Sequence, residues 1–343
     1  MRIAALLALG SALPGFAQYH DDLATTRDGS VLYFSYTSPS LAPSTRIYRW
    51  SQDAGVTLFG DRPDLAALPP LFGQHLYGTQ LTDDGSVLYH AEPLCATGTG
   101  PGFNTCTTGE TQIVTPGLTP FTEAAFLLIS PNGRYGVFTP FSNGGLWVDW
   151  WTGEQLQVDF HGMIVPQVTP PFSVNQHAVA NNGSFLIQAA GSPGLRIWSK
   201  DGETVIPLPD YIQNAAISAD GSTVSVTAHD PSQGYVSALY DVRSGRRTPV
   251  PQPASLSEDG ATIAWLSTDP FPPQANPQAM VSHSDGTGAR QVTNAGHGVR
   301  SVLISPDAHY LYVVVNGADF AAPSRIQRFD LVTGDVVEIP PVE

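Results

Sequence analysis

The chain is 343 residues long, 42% hydrophobic and 13% charged, with a formal charge of −15 from 15 basic and 30 acidic side chains. Such a chain, with Lys200 as its only lysine, has no basic face for nucleic acid or for an anionic membrane surface. The apolar content suffices for a core, and 33 glycines and 30 prolines set between short apolar runs indicate an all-β protein.

Residues 1–17, "MRIAALLALGSALPGFA", read as an export signal. Arg2 gives a short basic start, Ile3 to Leu13 form an apolar run too short to span a bilayer, and Pro14 ends it. Gly15 and Ala17 place small residues where a signal peptidase reads, so the mature chain is expected to start at Gln18. No later run reaches the length of a membrane helix. Residues 18–343 are expected to form one domain, periplasmic or secreted, as a monomer without a membrane span.

One strand–turn–strand phrase recurs along that domain: "TTRDGSVLYFS" (25–35), "LTDDGSVLYHA" (81–91), "ISPNGRYGVFT" (129–139), "VANNGSFLIQA" (179–189), "ISADGSTVSVT" (217–227), "LSEDGATIAWL" (256–266) and "ISPDAHYLYVV" (304–314). The turn residues are Gly29, Gly85, Gly133, Gly183, Gly221 and Gly260, with Ala308 in the seventh place. They are spaced 56, 48, 50, 38, 39 and 48 residues apart, a period that marks a propeller or solenoid. Asp or Asn in the turn accepts bonds from nearby N–H groups, and Gly takes positive φ at no steric cost. After the turn, Val31 and Tyr33 face one way and Leu32 and Phe34 the other, so both sheet faces are apolar and each sheet packs between two others.

A second strand–Gly turn–strand signature follows each first one, with glycines at 55, 109, 153, 202, 245, 286 and 334. Each repeat thus supplies four strands, a to d, and the prediction is a seven-bladed β-propeller of four-stranded antiparallel blades. Counting from Tyr19 to Pro340, both chain ends complete whole blades. No terminal strand swap is therefore expected, and the last blade closes on the first by side-chain packing.

The phrases "ISPDA", "ISPNG" and "ISADG", each followed by an apolar strand and then by "IYRW" or "LYDV", resemble the TolB-type, WD-like propeller repeats over essentially the whole mature chain. The resemblance implies the propeller fold and little about function. The chain lacks the Gly-His and Trp-Asp pairs of eukaryotic WD repeats and the additional N-terminal domain of TolB. It also lacks the hydrolase domain of the propeller peptidases, so the resemblance implies no serine-peptidase activity.

Strand a lines the channel of a propeller. Counting back eight residues from each turn gives Asp21, Tyr77, Ala125, Asn175, Gln213, Gln252 and Arg300, a mostly polar ring at the end where the d-to-a connectors emerge. Connectors add His20, Asp22, His75, His177 and His297. Asp21, Tyr77, Asn175, Gln213, Gln252, Arg300, His75, His177 and His297 are the candidate ligand-binding residues, suited to a peptide, protein or glycan; the bland alternative is a wet channel with no ligand. Cys95 and Cys106 bracket a Gly- and Thr-rich loop on the same side. An oxidising compartment favours a disulfide between them, two free buried thiols being the alternative. Two long connectors, 60–80 and 159–176, overhang this mouth. Trp150 and Trp151 are adjacent and should face opposite sides; one could offer a stacking surface, but edge packing against the next blade is the favoured reading.

Enzyme signatures are mostly missing: there is no Gly-x-Ser-x-Gly elbow, the one Asp-box-like phrase, "SQDAGVTL", is a turn element, and of the paired carboxylates Asp21-Asp22 and Asp83-Asp84 only Asp22 stays open for acid–base work. No catalytic residue, metal or cofactor is expected. The favoured function is an exported binding module. The alternative is a hydrolase or lyase, metal-assisted, acting on a sugar-acid or lactone through His75, His177, His297 and Asp22.

Overall fold

The computed structural model describes residues 19–37, 45–60, 74–82, 87–93, 110–114, 126–139, 144–159, 163–164, 178–189, 194–208, 212–267, 276–318 and 322–342. All regular structure among them is antiparallel β. The first sheet is β1 (Tyr19–Thr25), β2 (Val31–Thr37), β3 (Thr45–Ser51) and β4 (Gly55–Gly60). The second is β5 (Gln74–Leu81), β6 (Val87–Pro93) and β7 (Glu110–Val114), and the third β8 (Phe126–Ile129), β9 (Tyr135–Thr139), β10 (Gly144–Asp149) and β11 (Glu154–Asp159). The fourth is β12 (Met163–Ile164), β13 (Phe185–Ala189), β14 (Leu195–Ser199) and β15 (Gly202–Ile206). The fifth is β16 (Ile212–Ile217), β17 (Thr223–Asp230), β18 (Gly234–Asp241) and β19 (Arg247–Val250). The sixth is β20 (Ser255–Leu256), β21 (Thr262–Leu266), β22 (Ala279–His283) and β23 (Arg290–Gln291). The seventh is β24 (Val299–Ile304), β25 (Tyr310–Val315), β26 (Arg325–Asp330) and β27 (Val336–Ile339).

The turn chemistry follows the residue choice. Gly29, Gly133, Gly183, Gly221 and Gly260 all have φ between 62° and 82°, and Ala308 has φ of 59°, the one positive-φ residue other than glycine among the described residues. In each of these turns the residue before takes the next-but-one N–H onto its side-chain oxygen, as Asp220 does from Ser222 at 2.8 Å and Asp259 from Ala261 at 2.9 Å. A serine two residues ahead completes the motif. The Ser257 hydroxyl donates to Asp259 at 2.7 Å and accepts the Thr262 N–H at 3.0 Å; Ser130, Ser218 and Ser305 repeat the arrangement. These serines are at most 1% exposed, so the hydroxyl satisfies an N–H that water does not reach.

The core lies between consecutive sheets. Leu186, Leu195 and Ile197 of the fourth pack against Ile217, Val224 and Val226 of the fifth; Trp147 of the third meets Phe185 and Ile187 of the fourth. Leu32 and Phe34 of the first sheet pack on Leu303, Tyr312 and Val314 of the seventh, while Tyr33 turns the other way onto Phe59. This is the two-sided burial expected from the alternation after the turn. First and seventh sheets are each built from consecutive strands of their own end of the chain.

Neighbouring turns are also tied by hydrogen bonds. The carbonyl two residues before the turn glycine accepts from the turn of the preceding sheet: Asn132 Nδ2 to Asn181 O (3.3 Å), Asn181 N to Ala219 O (2.6 Å), Asp220 N to Glu258 O (3.0 Å), Glu258 N to Pro306 O (2.7 Å) and Asp307 N to Arg27 O (3.2 Å).

Two expectations require correction. In the second sheet, Glu110–Val114 pairs directly with β6, with Val87 opposite Val114 and Ala91 opposite Glu110. It is the third strand, so Gly109 precedes that strand and does not divide a third from a fourth. The long segment carrying the cysteines displaced the count; Cys95 and Cys106 lie outside the described residues. In the fourth sheet the innermost position is occupied by two separate pieces. Met163 and Ile164 pair with Ala189 and Gln188, while Val179 bridges Phe185 near the turn. Residues 159–176 are therefore not one connector, because the chain is already in the sheet at Met163.

Candidate functional site

The inner strands converge at the turn end. Pro131 of the third sheet's turn, Ala216 and Ala219 of the fifth, Leu256 of the sixth, and Ile304 and Pro306 of the seventh line a single cavity. Side chains from sheets that are not neighbours in sequence thus face a common space. Its lining is mainly apolar, and it has room for water and not for a large ligand. Beside it Arg27 of the first sheet's turn reaches Glu258 of the sixth, Nε to Oε2 at 2.6 Å.

At the other end the inner strands are distorted. One extra residue is inserted in β1 between Asp21 and Ala24, in β5 between Tyr77 and Gln80, in β16 between Ile212 and Asn214, and in β24 between Val299 and Ser301. A bulge leaves its extra residue out of the ladder, bends the strand and re-aims side chains. Gln213 and Arg300 occupy the inserted positions themselves, while Asp21 and Tyr77 are the last paired residues before theirs. Four of the seven ring positions counted from the turns therefore fall at irregularities of the innermost strand.

Of the candidate ligand-binding side chains, three are described. Arg300 is half-buried on β24, Gln252 is half-buried in the bend before β20, and His297 is exposed on the connector leading to β24. That connector is firmly built. The Gln278 side chain accepts from Thr293 Oγ1 (2.9 Å) and Ala295 N (2.8 Å) and donates to Ala295 O (2.9 Å). Asn316 Nδ2 donates to His297 O at 3.2 Å, and Val299 N to Pro277 O at 2.7 Å. Asp21, His75, Tyr77 and Gln213 are placed on strands β1, β5 and β16 by their backbones. Asn175 and His177 lie outside the described residues. Counting back from Gly183 assumed an unbroken inner strand; Met163 and Ile164 hold the register that the count gave to Asn175. Among the described residues no group of three or more His, Cys, Asp or Glu side chains converges as metal ligands would.

A second polar feature lies at the outer turn of the third sheet. The Arg134 guanidinium grips Asp149, Nε to Oδ1 at 3.1 Å and Nη2 to Oδ2 at 2.7 Å, and sits between Tyr135 (4.8 Å) and Trp151 (5.0 Å). Asp149 also accepts the Trp151 and Thr152 N–H groups. These bonds, the Arg134 side chain first, hold its pKa down at about 2. Trp151 is 68% exposed, whereas Trp150 lies over Gly136, whose Cβ position its ring would occupy. The adjacent tryptophans face opposite ways, and Arg134 in the preceding turn marks the exposed one, over which its guanidinium lies.

No protein-family model matches the chain, and no curated protein sequence matches it. Solved structures do. The β-propeller domain of the Trilobed protease from Pyrococcus furiosus, described as revealing an open velcro topology, aligns over 95% of this chain and 98% of its own with a TM-score of 0.58 at 9% identity. The acylaminoacyl peptidase of Pyrococcus horikoshii aligns over 95% of this chain with a TM-score of 0.59 at 10% identity; the match spans 52% of that chain. TolB from Acinetobacter baumannii is similar over 95% of this chain and 79% of its own, at 14% identity and a TM-score of 0.44. With all-antiparallel sheets stacked face to face and inner strands around a common space, the chain has a β-propeller fold.

Proposed function

We propose that this chain is a seven-bladed propeller that acts as a binding module, engaging a peptide, protein or glycan at the connector end of its central channel. The observation that carries the reading is the asymmetry of the inner strands. They meet in a narrow, mainly apolar cavity at the turn end and are bulged at the positions of Asp21, Tyr77, Gln213 and Arg300 at the other. Bulges concentrate at barrel rims and sites where a side chain must be redirected, and polar groups converging on a concave mouth fix a ligand's orientation. Arg300 supplies the charge, Gln252 and Gln213 the amides, and His297 stands on a rigid rim. Residues 1–17 act as an export signal in this reading. The module works in the periplasm or outside the cell, where Cys95 and Cys106 pair.

The test is a binding screen of the purified chain on a glycan array and a displayed peptide library, followed by titration of the strongest hit. Arg300→Ala should weaken that hit by about tenfold to a hundredfold, the loss of a charge-assisted hydrogen bond. Gln252→Ala should weaken it less, and Asp201→Ala on an exposed outer turn should not affect it. A hit indifferent to both Arg300 and Gln252 would place the ligand elsewhere and refute the reading.

A further inference from the structure

In a ring of sheets the chain itself crosses every boundary but one. The passage from the seventh sheet back to the first has no connector, since β24–β27 and β1–β4 each complete a sheet from their own end of the chain. What holds that boundary is side-chain packing and a few hydrogen bonds, with the Arg27–Glu258 ion pair reaching past it to the sixth sheet. Tyr312 Oη donates to Gly29 O at 2.6 Å, and the turn-to-turn bond from Asp307 N to Arg27 O, at 3.2 Å, is longer than its main-chain counterparts at the three preceding boundaries. Across the boundary lies Arg328 of β26, only 8% exposed. Its guanidinium carbon is 5.0 Å from the Trp50 ring of the first sheet and 4.5 Å from the Tyr310 ring of the seventh. Its Nη2 donates to Gln52 Oε1, again of the first sheet, at 2.9 Å. Its side chain thus meets two rings, an amide and the Tyr312 hydroxyl of its own sheet. A desolvated guanidinium is held well between aromatic faces, but only while both rings stay in place.

We propose that this boundary is a latch: the ring opens there as a unit, seventh sheet parting from first, and Arg328 sets how often. Two physical terms point the same way. Sheets joined by a short connector remain at high effective concentration when they part and reclose readily, whereas the first and seventh have no such tether. Opening also separates Arg328 from Trp50 and Gln52 while leaving every strand ladder intact, so it costs less than unfolding a sheet.

The structure supplies its own reporters, because four turn amides, Asn181, Asp220, Glu258 and Asp307, each cross one boundary, with Asp220 at the same place in its turn as Asp307. Amide-resolved hydrogen exchange on the full chain should find Asp307 the least protected of the four by about tenfold. In Arg328→Met, Asp307 should exchange about tenfold faster again, with the other three unchanged. Arg328→Lys, which keeps the charge but not the planar stack, should fall between. Equal protection of all four amides in the unmutated chain overturns the latch, and that measurement stands even if Arg328→Met does not fold. A uniform rise in Arg328→Met does the same. The inference rests on the closed ring proposed above, and the two fail differently: an Asp307 amide with no protection at all would sink the closure itself.

Discussion

Gly260 offers the sharpest test of how the sheets are stacked. It sits in the sixth sheet's turn with φ of 64°, and a Cβ placed on it would lie 2.5 Å from Thr223 Oγ1 and 2.6 Å from Thr223 Cβ in the fifth sheet. Gly260→Ala therefore carries two costs. The left-handed backbone is disfavoured for an L-residue by about 1–2 kcal/mol, of which about 0.4–1 is offset by the stiffer unfolded chain. The methyl group must also push a β-branched residue of the neighbouring sheet aside, costing about 1–3 kcal/mol more. The expected loss is about 3 kcal/mol in all. Gly245 is the control: its φ is 68° and nothing lies within 4 Å of its Cβ position, so Gly245→Ala should lose only about 1 kcal/mol. Urea denaturation of the two variants beside the unmutated chain measures both. Equal losses would show that the Gly260 turn is not wedged against the fifth sheet, and the stacking argument would fail. Ala308 completes the set, since it already holds a methyl group at φ of 59° against the boundary of the sixth and seventh sheets. Relief of backbone strain and loss of that packing nearly cancel, so Ala308→Gly should change stability by less than about 0.5 kcal/mol.

The Arg134–Asp149 pair predicts a pH signature. The Asp149 pKa is lowered from 3.8 to about 2, so its contribution is fully present above about pH 4 and is lost as pH falls through 2; it amounts to about 2 kcal/mol. Asp149→Asn should be less stable by roughly that much at pH 7, with the gap closing below pH 4. A gap that persists unchanged at pH 2.5 would assign the loss to something other than charge. Ser257→Ala removes the buried hydroxyl that links Asp259 to the half-buried Thr262 N–H and should cost about 1–3 kcal/mol; a loss under about 0.5 kcal/mol would mean that water takes over the bond.

The parts of the fold written in local sequence were readable without coordinates. Asp-Gly and Asn-Gly turns are specified by one residue's side-chain oxygen and the next residue's lack of a Cβ, so Gly133, Gly221 and Gly260 announce themselves. So does Ala308, by occupying the same place after Asp307. The serine two positions ahead was equally present in "ISAD", "LSED" and "ISPD", but its role depends on reaching an N–H five residues on, which a search for turn glycines does not test. Bulges at Gln213 and Arg300 are different. They depend on how the partner strand is matched, and nothing in the strand's own residues records one extra position. The fourth sheet's inner edge defeated counting for the same reason, because Met163–Ile164 and Val179 both pair with β13 although they stand well apart in the chain. In the second sheet, the pattern before Gly109 reads as a strand, whereas the pairing of Glu110–Val114 with β6 makes that segment the third strand. Of the mouth, the ring positions could be located but the direction of their side chains could not.

The bonds from turn to turn explain a feature of the sequence that looks arbitrary. The position two residues before the turn glycine holds Arg27, Pro131, Asn181, Ala219, Glu258 or Pro306, a spread of chemistry within one repeated motif. At Asn181, Ala219, Glu258, Pro306 and Arg27 the neighbouring sheet is received by the main-chain carbonyl, which every amino acid carries. The side chain there is thus not needed for that bond, although Asn181 Oδ1 also takes the Asn132 N–H and Arg27 pairs with Glu258. Where the side chain makes no bond of its own, this rim can be rewritten in charge, bulk or polarity, by drift or by an engineer, while the fastening underneath stays the same.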